Sequence, residues 1–189
     1  MEQMTTVLAR AKVVPVIRAD SGTKALETAE WLLESGLTVI ELTATTPDWL
    51  SALVKLRTGH PQATLGVGTV VTAANAVAAL DNGADFLVSP WPAEDVRQVA
   101  QARVMPFLEG GFTPAEVAAA ASRGIAKLFP AHVGGPTYLK SLLAVLPGAQ
   151  IMPTGGIKLA DVSSWLAAGA IAVGVGSDLD RIREVLDEL

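Results

Sequence analysis

The sequence predicts a (β/α)8 barrel of the TIM type, laid out as a single compact domain over residues 1–189. Three observations point there. Apolar runs rich in Val, Ile and Leu alternate with amphipathic stretches rich in Ala, Glu, Leu and Trp, the mark of repeated strand and helix units around a parallel sheet. Strand starts fall at Val13, Thr38, Thr64, Asp85, Met105, Gly124, Gln150 and Ile171, and the repeat of roughly 20 to 25 residues is near the minimum for a strand, a helix and two loops. No Gly/Ser linker or low-complexity tract divides the chain, which favours a closed barrel over an open doubly wound sheet.

The helices follow in order between those strands. They are expected over Thr23 to Glu34, Pro47 to Arg57, Ala73 to Asn82, Pro92 to Ala102, Pro114 to Ser122, Thr137 to Ala144, Leu159 to Ala167, and in Leu179 to Leu189. Several open with proline in the first turn after Ser, Thr or Asp, because a missing N–H costs nothing there. Several stop at glycine, as at Gly36, Gly83, Gly124 and Gly169, where a left-handed cap is free of strain. Trp31, Trp49 and Trp165 sit on these helices as anchors against the barrel or a subunit contact, and Trp91 follows the fourth strand at the border of the mouth.

Composition narrows the function. With 189 residues and 50% hydrophobic content the chain can bury a substantial core. A net charge of -5 with no basic run gives no footprint for nucleic acid or anionic lipid. Met1 to Lys12 carries neither a signal-peptide pattern nor a membrane span, so a cytoplasmic protein is expected. There are no cysteines, which removes disulfides, thiolate catalysis and cysteine-held metal. His60 and His132 are too few for a histidine-rich site, which leaves only carboxylates as holders of a hard cation; no metal and no cofactor is expected. His132 reads as a loop residue.

Lys127 is the outlier. It stands in Gly124-Ile125-Ala126-Lys127-Leu128-Phe129-Pro130, an apolar run read as a buried strand. A charge inside costs several kcal/mol unless it is paired or gives up its proton, so this lysine is either a structural ion pair with Glu41 or Glu109, or a nucleophile. Strand parity extends the argument, since a barrel interior collects every second residue. Taking Lys127 as inward, the matching sets are Val14, Val16 and Arg18; Val39, Glu41 and Thr43; Leu65, Val67 and Thr69; Leu87 and Ser89; Phe107 and Glu109; Met152 and Thr154. Each is apolar at its start and polar at its carboxyl end. Arg18, Glu41, Thr69, Ser89, Glu109, Lys127 and Thr154 are therefore expected to converge on one mouth, the end of a barrel that carries activity.

These residues resemble the class I aldolases that split 2-keto-3-deoxy-6-phosphogluconate and 4-hydroxy-2-oxoglutarate. The resemblance is carried by Val14-Pro15-Val16-Ile17-Arg18, Ile40-Glu41-Leu42-Thr43 with Thr46-Pro47, Gly66-Val67-Gly68-Thr69-Val70 and Val88-Ser89-Pro90. It continues through Lys127-Leu128-Phe129-Pro130-Ala131, Pro153-Thr154-Gly155-Gly156-Ile157 and Val173-Gly174-Val175-Gly176-Ser177. It implies Lys127 as the imine-forming nucleophile and Glu41 as the acid/base. Arg18 and Thr69 would bind the substrate carboxylate, because one branch of the family uses an arginine on the first strand where others carry one after the second, here Ala44 and Thr45. Thr154 and Phe129 are substrate-binding candidates, and a homotrimer is implied.

Gly155-Gly156 and Gly176-Ser177 end consecutive strands where many barrels hold phosphate on backbone amides. They favour a 2-keto-3-deoxy-6-phospho-aldonate as the small-molecule 2-keto acid, giving pyruvate and glyceraldehyde 3-phosphate, with 4-hydroxy-2-oxoglutarate cleavage as a side activity. Gly134-Gly135-Pro136-Thr137-Tyr138-Leu139-Lys140 and Gly176-Ser177-Asp178-Leu179 lean towards the galactonate epimer. One departure stands out: Glu109-Gly110-Gly111 replaces the family's usual proline-glycine, and the second carboxylate would hold Lys127 charged, act as an added base for a different substrate, or turn outward without effect, a modest shift in the lysine's proton affinity being the favoured outcome. The alternative reading is a barrel that keeps a phosphate cup without turnover and serves as a binding or assembly module.

Overall fold

In a computed structural model that describes residues 2–182, the strands are β1 (Val13–Ile17), β2 (Val39–Thr43), β3 (Thr64–Gly68), β4 (Phe86–Val88), β5 (Phe107–Gly111), β6 (Ile125–Leu128), β7 (Gln150–Pro153) and β8 (Val173–Val175). They form one parallel eight-stranded sheet in the order β7-β6-β5-β4-β3-β2-β1-β8. The ring closes between β7 and β8 through a bridge of Thr154 to Gly174 and the Ile171 N–H donating to Ile151 O. This is the expected barrel.

The helices are α1 (Glu2–Ala11), α2 (Gly22–Glu34), α3 (Trp49–Gly59), α4 (Ala73–Asp81), α5 (Glu94–Ala102), α6 (Pro114–Ala121), α7 (Gly135–Val145) and α8 (Val162–Ala167). Their starts follow from local chemistry. Ser21 and Thr72 accept the Lys24 and Asn75 N–H groups, and Thr113 with Glu116 forms a reciprocal capping box before Pro114. The eighth predicted helix begins as a single turn, Leu179–Arg181, and the rest of that segment from residue 183 lies outside the described residues. Among the described residues, no helix is long and apolar enough to cross a membrane.

Helix α1 was not among the expected elements, although Met4, Val7, Leu8 and Ala11 have helical spacing. Its buried side chains Met4 and Leu8 pack with Val14, Val39, Phe86, Leu108, Ile125 and Met152. Those are the inward residues of six strands, so α1 stoppers the end of the barrel opposite the mouth. A second apolar layer, including Leu42, Leu65, Val67, Leu87, Ala126, Leu128 and Val173, lies between the sheet and the helices. Trp165 is buried in that layer, and Trp31 and Trp49 pack against it, as anchors should.

The two layers correct the parity expected for three strands. On β3 the inward positions are Gly66 and Gly68, while Leu65 and Val67 face the helices; on β4 they are Phe86 and Val88, and Leu87 faces out; on β5 Leu108 is inward, and Phe107 and Glu109 are not. A strand apolar on both faces does not declare its parity, and a glycine hides the inward face altogether. Space explains the glycine: a Cβ on Gly66 would lie 2.2 Å from Cζ of Phe86, whose ring fills the centre of the barrel.

Leu8→Ala opens a hole between α1 and the strands, so it is expected to cost about 2–5 kcal/mol in a urea titration. A loss near zero would mean that the barrel closes without its stopper.

Candidate active site

Two ionisable side chains enter the barrel interior and meet. Lys127 on β6 and Glu41 on β2 have side-chain exposures of 4% and 0%, with Nζ 3.7 Å from Glu41 Oε1. That separation is an ion-pair distance but too long for a hydrogen bond. Neither Glu41 oxygen has a hydrogen-bond partner among the described residues. Burial pushes the Glu41 carboxyl above its ordinary value, and the charges of Lys127 and Arg18 offset that only in part. The Lys127 ammonium also lies 5.3 Å from the centroid of the Phe129 ring, within cation–π range.

Glycine makes room for the carboxylate. A Cβ on Gly68 would fall 1.8 Å from Glu41 Oε1, so the third strand is bare where the second projects its acid. Gly174 does the same for Thr154, whose Oγ1 would meet a Cβ there at 2.3 Å. Thr154 Oγ1 is buried without a partner among the described residues, on the inward side of the chain just past β7. A buried hydroxyl on the inward side of the barrel can hydrogen-bond a polar ligand atom that enters.

Arg18 and Thr69 meet at the rim. Arg18 NH2 donates to Thr69 Oγ1 at 3.4 Å, and the arginine's field reaches Glu41. Thr69 arrives there for a reason other than the expected one. Its φ of 56° breaks the strand just after Gly68, so the backbone turn rather than strand parity aims the hydroxyl. Across the mouth, Gly155 and Gly156 have φ of 95° and 69°, a turn that side chains would strain. Gly155 packs on Phe129, and His132 lies against Gly156 with its N–H donating to Gly155 O. Gly176 and Ser177 are exposed past β8, and Gly176 borders Val16 O of β1.

Glu109 and Ser89 do not join the mouth. Glu109 points outward, where it accepts from Arg97 at 2.7 Å and 3.1 Å, from Arg123 at 2.9 Å and from the Ala93 N–H at 3.0 Å. The modest effect on Lys127 expected from its sequence position is therefore replaced by a clamp of α5 and the end of α6 onto β5. Burial alone would raise the Glu109 carboxyl, but the two guanidiniums and the backbone N–H hold it below its ordinary value. Ser89 accepts from the Gly110 N–H and donates to Trp91 O, which fixes the loop after β4. Trp91 is exposed on that loop. A cavity of 460 Å³ beside the clamp, lined by residues that include Arg97, Val104, Phe107 and Arg123, opens on the flank of the barrel and not at the mouth.

One feature escaped the sequence reading of the mouth. Thr43, Thr45 and Thr46, past the acid on β2, bring their hydroxyls together, with Thr43 Oγ1 3.1 Å from Thr46 Oγ1 and 3.4 Å from Thr45 Oγ1. Three threonines within four residues were the available signal. Among the described residues, no cluster of three His, Asp or Glu has a metal-holding arrangement.

Fold and site together define a class: a TIM barrel with a lysine and a carboxylate paired inside and an arginine at its rim. The sequence pattern of the family described as KDPG and KHG aldolase matches residues 4–187, and the chain belongs to that family. A 2-dehydro-3-deoxy-phosphogluconate aldolase of Haemophilus influenzae is 35% identical over 179 residues, 93% of this chain and 84% of that protein. The 2-keto-3-deoxy-6-phosphogluconate aldolase of Zymomonas mobilis ZM4, solved with 3-phosphoglycerate, superposes with a TM-score of 0.87 at 31% identity, covering 100% of this chain and 95% of that one. The KDPG aldolase of Legionella pneumophila, in which pyruvate was captured as a covalent carbinolamine, gives 0.84 at 30% identity over 95% and 90% of the two chains.

Two variants test this geometry. Gly68→Ala is expected to drive the Glu41 carboxylate from its seat and lower kcat at least tenfold, measured by steady-state kinetics, with the fold intact by circular dichroism. Glu109→Gln is expected to cost about 3 kcal/mol at neutral pH, at the low end for a broken buried pair because the Arg123 side chain is 39% exposed. A depressed carboxyl stabilises the fold above its unfolded value and loses that contribution as pH falls through its folded value. The gap between wild type and Glu109→Gln should therefore narrow below pH 4.5 in pH-resolved denaturation.

Proposed function

We propose that this protein is an imine-forming aldolase that cleaves a 2-keto-3-deoxy-6-phospho-aldonate to pyruvate and glyceraldehyde 3-phosphate. The observation that carries this is the isolated pair of Lys127 and Glu41 inside the barrel. The reading extends to 4-hydroxy-2-oxoglutarate as a second substrate, to a cytoplasmic setting, and to a homotrimer that a mass measurement in solution would test.

The chemistry follows from the residue types. Uncharged Lys127 Nζ attacks the keto carbon C2, forming a carbinolamine; loss of water leaves a protonated imine that draws electrons far more strongly than the ketone. Glu41 then takes the proton of the C4 hydroxyl, the C3–C4 bond breaks, its electron pair passes into the imine to give an enamine, and the aldehyde leaves. Glu41 returns a proton to C3. Water adds to C2, and expulsion of the amine frees pyruvate and restores Lys127. Glu41 suits both proton transfers because burial raises its carboxyl above the ordinary value, so it holds a proton more firmly than an exposed carboxylate would.

The remaining groups bind. Arg18 and Thr69 offer a charged fork and a hydroxyl to the substrate carboxylate. Phe129 walls the amine, and Thr154 offers its unpartnered hydroxyl to the substrate. Backbone amides at Gly155, Gly156, Gly176 and Ser177 suit the 6-phosphate, since a glycine turn lets the anion approach the main chain. The glycine-rich opening of α7 and the Gly176-Ser177-Asp178-Leu179 segment lean to the galactonate epimer.

Borohydride reduction in the presence of pyruvate is expected to leave one pyruvyl adduct, mapped to Lys127 by mass analysis and absent in Lys127→Met. Wild type that traps nothing would favour a barrel that binds without turnover. A panel of both C4 epimers, with and without phosphate, reads substrate choice, and loss of phosphate is expected to raise KM. The pH profile has a definite sign. Glu41 is active as the base when deprotonated, so kcat/KM should rise with pH through a limb above 4.5, and Glu41→Gln should lose that limb with roughly 10²–10⁴-fold of the rate.

A further inference from the structure

We propose that Thr46 is a positioning residue for Arg18: its buried hydroxyl ties the loop that carries the arginine to the strand that carries Glu41. The proposal rests on the reading of Arg18 as the carboxylate anchor. Arg18 follows the end of β1, and both it and Asp20 are exposed. Between them, the Ala19 N–H donates to Thr46 Oγ1 at 3.2 Å, and Thr46 is only 2% exposed.

The three hydroxyls form a connected chain. Thr45 Oγ1 donates to Thr43 Oγ1 at 3.4 Å, Thr43 and Thr46 share a hydrogen bond at 3.1 Å in which either hydroxyl can donate, and Thr46 Oγ1 also receives the Ala19 N–H. Thr43 is the next inward residue after Glu41 on β2, so the chain of hydroxyls begins on the acid's own strand. A second clasp lies a few residues further on. A Cβ at Gly22 would fall 2.6 Å from Asp48 O, and Asp48 has φ 56°, so the loops after β1 and β2 are pressed together at both ends. The Arg18 guanidinium is steered from the third strand by Thr69, while its backbone is steered from the second by Thr46. The anchor for the carboxylate and the base that moves the proton are thereby held in one frame, which is what orientation within an active site demands.

The test is a cycle of Thr46→Val, Arg18→Ala and the double variant, read as kcat and KM for 2-keto-3-deoxy-6-phosphogluconate. Thr46→Val keeps the shape and removes the hydroxyl. It is expected to raise KM roughly three- to tenfold, the worth of one hydrogen bond, with kcat within about twofold of wild type. Thr46→Ser should restore KM. In the Arg18→Ala background Thr46→Val should add nothing, because a residue acting through the arginine has nothing left to position. An unchanged KM in Thr46→Val, or an equal further rise in the Arg18→Ala background, overturns the proposal while the anchor role of Arg18 stands. A KM that ignores Arg18→Ala overturns both. Should Thr46→Val fail to fold, Gly22→Ala, which forces the same two loops apart, is expected to give the same rise in KM, and a KM equal to wild type would reject the coupling.

Discussion

A buried amine and a buried acid, 3.7 Å apart and with no hydrogen bond to the acid among the described residues, set the terms for the rest of this barrel. Burying two charges costs more than their mutual attraction returns unless the remaining polar atoms are satisfied. Here neither acid oxygen has a hydrogen-bond partner among the described residues. The arrangement is therefore poor as a structural tie and well suited to chemistry. The cost is carried by the two apolar layers, one inside the ring of strands and one between the strands and the helices.

The glycines show how the interior is kept open at one end and filled at the other. Gly66 yields its space to Phe86, which with Met4 and Leu8 closes the lower barrel, whereas Gly68, one inward step higher on β3, yields its space to the Glu41 carboxylate. The other buried acid, Glu109, is handled in the opposite manner. It is satisfied by Arg97, Arg123 and the Ala93 N–H and its carboxyl is lowered, while the Glu41 carboxyl is raised. Two carboxylates on strands of one sheet are thus held differently, one hydrogen-bonded and clamping helices to the barrel, the other inside it without a hydrogen-bond partner among the described residues, which suits the proposed proton transfer.

The strand and helix repeat was legible because glycine and proline punctuate it, and all eight strand starts lie within two residues of their expected places. Lys127 and Glu41 were legible too, since β6 and β2 each carry a single charge among apolar neighbours. Parity failed on β3, β4 and β5, where Leu65, Leu87 and Phe107 look as suited to an interior as Phe86 and Leu108 do. Glu109 followed that error, for its partners Arg97 and Arg123 come from α5 and the end of α6 and only the fold brings them together. Thr69 came to the mouth despite the wrong parity of its strand, because a left-handed turn re-aims it. The link from Thr46 to Ala19 spans two loops, and no local pattern announces it.

The central claim is that Lys127 and Glu41 work as one unit on a bound 2-keto acid, and exchange of the pyruvate methyl protons with deuterium isolates that step without any aldehyde. Exchange at C3 needs an imine to acidify the methyl group and a base to take its proton. Followed by NMR in deuterated buffer, wild type should wash out the methyl signal, and Lys127→Met and Glu41→Gln should each abolish the exchange on their own. Exchange at the wild-type rate in either variant would contradict the account.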